Sequence, residues 1–141
     1  MKFIAPKRKI NRVFLHCSAS DRPEHDDVSV IKQWHLDRGF SDVGYHFYIK
    51  KDGQIQNGRN IEVTPAAQEG NNTNTIAICC GGLTDFTARQ MNSLVELCDG
   101  INESIPDVTF HGHCEVSAKT CPVYDYRHIL DLDSTGKMRM T

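Results

Sequence analysis

The sequence predicts an α/β fold: a single domain built on a mixed central β-sheet of about five strands, flanked by helices. Three observations point there. Two stretches with apolar residues on both faces, 10–17 and 75–80, read as buried strands. Strand-like and helix-like segments alternate along the chain, which favours a sheet covered by helices. Lys51-Asp52-Gly53, set between strand formers, adds one hairpin.

Each element has its own signal. Residues 1–9 form a polar lead-in, and 10–17 is the first strand. A polar loop with Pro23 leads to a helix over 28–38, which Asp27 can cap and Gly39 can end. Ile31, Trp34 and His35 share one face of it; Trp34 reads as core packing and His35 as a helix-surface or interface histidine. Asp42-Val43-Gly44 turns the chain into a strand over 45–50, and 54–59 returns as its hairpin partner. Residues 61–74 are polar and irregular, a loop suited to lining a groove or simply to connecting. After the 75–80 strand, Thr87 and Gln90 form a capping box. Met91, Leu94, Val95, Cys98 and Ile101 then repeat at helical spacing, so a helix is expected over 88–103, with Pro106 ending it. A short strand over 108–111 and a terminal helix within 124–130 follow. The core is expected to span 10–130 and the polar 131–141 segment to fray.

Composition excludes several classes. A chain of 141 residues, 39% hydrophobic and 24% charged, suits one soluble domain with a real core. A net charge of −2 leaves no electrostatic footprint for nucleic acid, and Lys7-Arg8-Lys9 reads as a solvated face. No apolar run approaches the ~20 residues that span a bilayer. Pro6 and charged residues cut the first apolar stretch short, so no signal peptide is read. Cytoplasmic synthesis is expected, and the chain stays there unless another agent releases it. Six cysteines without a Cys-x-x-Cys pair support neither a zinc ribbon nor a disulfide framework, and most read as small buried hydrophobes.

The chemistry concentrates in His113-Cys114-Glu115-Val116-Ser117-Ala118-Lys119-Thr120-Cys121-Pro122. His113 and Cys121 are good zinc ligands, and Lys119 sits two positions before the second. A catalytic zinc takes three protein ligands and keeps a position open for water, so a third must come from elsewhere. His16, near the end of the first apolar strand, is the candidate. His111 competes with His113, since alternate residues of a strand share a face. Cys17 and Cys114 neighbour the candidate ligands but alternate away from them.

These segments resemble the zinc-dependent N-acetylmuramoyl-L-alanine amidases, a family that includes phage lysozyme-amidases and peptidoglycan recognition proteins. The resemblance is nearest to the small endolysins of T-seven-like phages and covers roughly 13–125. It rests on Val13-Phe14-Leu15-His16-Cys17-Ser18-Ala19, Gln33-Trp34-His35, Asp42-Val43-Gly44-Tyr45-His46-Phe47, Lys50-Lys51-Asp52-Gly53, Gly58-Arg59, Phe86-Thr87 with Gln90-Met91, and the His113 to Pro122 stretch. It implies a Zn2+ cofactor on His16, His113 and Cys121, with Tyr45 and Lys119 as catalytic partners. It implies hydrolysis of the amide joining N-acetylmuramic acid to L-alanine in bacterial peptidoglycan, the action of a cell-wall-lytic endolysin. The fold it implies is a mixed sheet with helices packed on it. Many members carry a histidine where this chain has Ala66-Ala67-Gln68. Some phage relatives also bind the phage RNA polymerase, a property not carried over here. The expected partner is peptidoglycan, acted on by a monomer, without nucleic acid or membrane. Glu115 is the only acid near the ligands and is expected to support a ligand histidine. A non-catalytic peptidoglycan-binding module is the alternative, although such receptors typically lack the cysteine ligand.

Overall fold

The computed structural model describes residues 3–139. Five strands and three helices carry the fold. In chain order they are β1 (Arg12–Cys17), α1 (Val28–Asp37), β2 (Phe47–Ile49), β3 (Ile55–Asn57), β4 (Thr75–Cys80), α2 (Ala88–Ser104), β5 (Thr109–Gly112) and the single turn α3 (Tyr126–Ile129). Short 3-10 turns occupy Pro23–His25 and His113–Glu115.

The sheet order is β3-β2-β4-β1-β5. β1 runs parallel to both β4 and β5, β4 runs parallel to β2, and only the β2–β3 hairpin is antiparallel. β1 and β4 are therefore interior strands, which is why their sequences are apolar without alternation. Gly53, at φ 92°, makes the hairpin turn, where its N–H donates to the Lys50 carbonyl.

Alternate residues of these strands feed opposite faces. Val13, Leu15, Cys17, Ile76, Ile78, Cys80 and Phe110 pack with Leu94, Leu97, Cys98 and Ile101 of α2. The other face carries a smaller cluster of Tyr48 and Cys79 with Ile31 of α1 and Val43. Both helices start as their sequences require. The Asp27 carboxylate accepts the Ser29 N–H, and Thr87 and Gln90 form a reciprocal capping box. Gln90 is fully buried, and its amide also donates to the carbonyls of Ile49 and Gly81, which pins α2 to the ends of β2 and β4.

Residues 131–139 are packed, contrary to the frayed tail expected from their polarity. Leu132 and Met138 form an isolated antiparallel bridge, and both are buried against the α2-side core. Asp133 shapes the intervening turn by accepting the N–H groups of Thr135 and Lys137. Gly136, at φ 90°, brings its carbonyl to the Phe110 N–H at 2.8 Å. The expectation for Met140 and Thr141, like the lead-in at Met1 and Lys2, lies outside the described residues.

Candidate active site

His16 is the fifth residue of β1 and projects from the α1 face of the sheet. Its backbone is locked in place, since its carbonyl accepts the Tyr124 hydroxyl at 3.0 Å. β5 ends at Gly112, and the chain turns there into the 3-10 segment that starts with His113. Cys121 follows on the next loop, whose carbonyl accepts the Cys114 N–H at 2.7 Å. The ligand atoms of His16, His113 and Cys121 all lie within 4.8 Å of one another. The two imidazole rings stand 4.7 Å apart, and the Cys121 sulfur is 3.9 Å from His16 Nδ1.

This donor set fits a metal. Two imidazole nitrogens and one sulfur suit a borderline-soft divalent ion, and three protein ligands leave one position of a tetrahedron open. Ligation requires neutral imidazoles. Burial, and then the neighbouring His113, pull the His16 pKa down to about 3. Burial, and then Lys119, lower that of His113. The Cys121 thiol is pushed up by its contact with the Cys17 thiol and by burial. Two adjacent thiols resist double ionisation, and a bound cation reverses that balance at the sulfur that ligates it.

His113 and Cys121 line a cleft of about 910 Å³, and His16 lies buried directly behind them. Trp34, His35, Arg38, Tyr45 and Lys119 also line it. The Tyr45 ring packs 5.0 Å from that of His16. Burial, and then the Cys79 thiol, push the Tyr45 pKa well above the ordinary phenol value, so the hydroxyl keeps its proton. Lys119 is exposed on the loop between His113 and Cys121. The irregular 61–74 segment contributes Ala66, Ala67, Glu69 and Asn72, so it does line the groove.

Several expectations need correction. His35 is buried rather than superficial: its Nδ1 accepts the Gly44 N–H at 2.8 Å, and its ring packs 5.3 Å from Tyr45. Trp34 packs on the Ile31, Val43, Tyr48 and Cys79 cluster as expected, but only half-buried, so that it also forms part of the cleft wall, edge-on to His25. His111 does not share a face with His113, because β5 ends between them; it bonds Glu115 and Thr109 and packs on Phe14. Glu115 supports neither candidate ligand histidine. It accepts from the Gly112 N–H and the Tyr126 hydroxyl and pairs with His111 and Arg127. Gln68, marked in the sequence only as part of the stretch where many family members carry a histidine, is the residue that holds His16: its Oε1 lies 2.9 Å from His16 Nε2.

Residues 6–124 match the N-acetylmuramoyl-L-alanine amidase family, and the chain belongs to that family. It is an amidase, and its fold is the one the resemblance implied. The endolysin of Escherichia phage T7 is 35% identical over 129 residues, which cover 86% of this chain and 85% of that protein. The N-acetylmuramoyl-L-alanine amidase LysC from Clostridium intestinale URNW superposes with a TM-score of 0.79 at 27% identity, covering 88% of this chain and 85% of that one. Drosophila PGRP-LB shares the fold, with a TM-score of 0.70 at 24% identity over 84% of this chain and 78% of its own. No helix among the described residues is long and apolar enough to cross a membrane.

Proposed function

We propose that this chain is a zinc-dependent endolysin that cuts the amide between N-acetylmuramic acid and L-alanine in bacterial peptidoglycan. The observation that carries the zinc reading is the convergence of two neutral imidazoles and one thiol, two of the three side chains opening onto a cleft. In this reading His16, His113 and Cys121 hold Zn2+, and the ion supplies a more acidic water and a polarised carbonyl.

The chain's own residues do the rest. The cleft holds the stem peptide so that the scissile carbonyl faces Tyr45 and Lys119. Attack by water places negative charge on that carbonyl oxygen. The Tyr45 hydroxyl, kept protonated by its burial, and the Lys119 ammonium donate to it. Tyr45 also takes part in moving a proton toward the leaving amine. His35 braces this group: by binding the Gly44 N–H and packing on the Tyr45 ring, it fixes where the phenol points. The protein acts as a monomer on the wall, and no contact outside the cleft is needed for the chemistry.

The test is release of stem peptides from purified peptidoglycan by wild type and Cys121→Ser, with zinc assayed on both. The expected result is one zinc per wild-type chain, peptides with a new L-alanine amino terminus, and loss of both in the variant. Wild type that binds wall and zinc but releases nothing overturns the reading in favour of a receptor.

A further inference from the structure

Gln68 sits at the end of a chain of hydrogen bonds that runs from the polar loop into the candidate metal site. It is fully buried, as is His16. Its side-chain amide is flanked by groups that leave it one orientation. The Nε2 group donates to Thr75 Oγ1 at 2.8 Å and to the Asn71 carbonyl at 3.3 Å. The Thr75 hydroxyl spends its own proton on the Asn72 carbonyl at 2.8 Å, so toward Gln68 it can only accept. A flipped amide would set its oxygen against two acceptors in a buried site. The amide oxygen therefore faces His16 Nε2.

That oxygen in turn decides the imidazole. An acceptor 2.9 Å from Nε2 requires Nε2 to carry the proton, because a bare Nε2 would place two lone pairs against each other. The other nitrogen, Nδ1, is then left with its lone pair, and it is the one that faces the Cys121 sulfur at 3.9 Å. The loop is itself anchored, since Asn72 Oδ1 accepts the N–H groups of both Ala67 and Gln68.

We propose that Gln68 is the positioning residue of the metal site: through Thr75 and Asn72 it holds His16 as the Nε2–H tautomer with Nδ1 presented to the ion. It touches neither substrate nor metal. Its effect is on how much of the metal-free protein stands ready to ligate. Partners of this kind typically contribute about 10–100-fold to metal affinity.

The inference rests on the zinc reading, and the experiment separates the two. Nitrogen-15 NMR of the full-length protein before zinc addition reads the His16 tautomer directly, and competition with a chromophoric chelator reads zinc affinity. Wild type is expected to show a proton on Nε2 and none on Nδ1. Gln68→Leu should bind zinc about 10–100-fold more weakly, with His16 mixed between tautomers. Gln68→Glu keeps an acceptor toward His16 but sets its second oxygen against the Thr75 and Asn71 acceptors. It should retain the Nε2–H tautomer at a cost in stability, a split that simple filling of space does not explain. Thr75→Val is the second route should Gln68→Leu not fold: it frees the amide to flip and should weaken zinc in the same direction. A wild-type His16 protonated on Nδ1 overturns the inference, as does unchanged zinc affinity in a folded Gln68→Leu or Thr75→Val. Wild type that takes up no zinc while showing the Nε2–H tautomer removes the zinc reading and leaves the tautomer assignment standing.

Discussion

The Cys17 backbone N–H donates to the Cys121 sulfur at 3.2 Å. That bond ties the loop bearing the third candidate ligand to the residue after the first. The amide N–H favours the thiolate, against the Cys17 thiol and the burial that push the Cys121 pKa up, and a bound metal would complete the ionisation. Cys121→Ser offers a hydroxyl that stays protonated. Zinc affinity should fall by more than the ~10–100-fold typical of a lost supporting partner. The check is metal content after dialysis against a chelator. Serine protein that retains stoichiometric zinc removes Cys121 from the ligand set.

Tyr45 and Lys119 approach the cleft from different elements, so their contributions can be separated. Tyr45→Phe should lower kcat/KM by ~10²–10³ while zinc content stays at one per chain. Lys119→Met should do the same in direction and size. The double variant is expected to lose less than the product of the single losses, because the proposed mechanism has both donating to one oxygen. Steady-state rates on a soluble muramyl peptide decide the matter. Full activity in Tyr45→Phe leaves Lys119 as the sole donor.

His46 gives the fold a defined response to acid. It is buried, its Nδ1 accepts the Ala77 N–H at 3.1 Å, and its Nε2–H donates to the Val63 carbonyl at 2.7 Å. Burial, outweighing that carbonyl bond, pulls its pKa down to about 4. The unfolded chain binds the proton near pH 6.5 and the folded chain does not until about pH 4, so stability is intact above 6.5 and declines between those values. The cost by pH 4 is on the order of 3 kcal/mol. Urea unfolding from pH 7 to 4.5 should show His46→Asn weaker at neutral pH but with a flatter slope, by about one proton. Zinc loss in acid affects both proteins, and the difference between them isolates His46.

Gly44→Ala tests the brace behind Tyr45. A Cβ there would stand 2.1 Å from the Ala66 carbonyl oxygen, so the backbone has to move. Either the Ala66 segment shifts or the His35 bond to Gly44 breaks. Overpacking of this kind costs typically 1–3 kcal/mol, about the drop expected in chemical denaturation. Activity should fall further than stability explains, since Tyr45 moves with its neighbour. A variant with wild-type kcat at a temperature where it is fully folded counts against the brace.

What the sequence disclosed follows from what periodicity can report. Interior strands β1 and β4 announce themselves because both faces are buried, and α2 because its stripe and capping box coincide. The grouping of His16, His113 and Cys121 was legible from residue type and spacing together with the family resemblance. Gln68 stood out only as part of a departure from the family pattern; its role was hidden, because an amide in a polar loop has no pattern until Thr75 and His16 are known to lie beside it. His35 shared its helix face with Ile31 in the sequence, yet its burial depends on Gly44 and Phe40, which only the turn after α1 brings near. Leu132 and Met138 were hidden by the polar residues between them, which form a turn rather than a loose end.

The bond from the Phe110 N–H to the Gly136 carbonyl bears on how the protein keeps to itself. β5 borders the sheet, and beyond it an extended backbone would offer open donors to any passing strand. The 131–139 turn lies across that border, and Gly136 comes so close that a Cβ would meet the Phe110 oxygen at 2.9 Å. The segment thus works as a lateral seal. A chain shortened before Asp131 would keep every candidate ligand and lose its guard against self-association, so its first failure would be turbidity rather than a missing catalytic group.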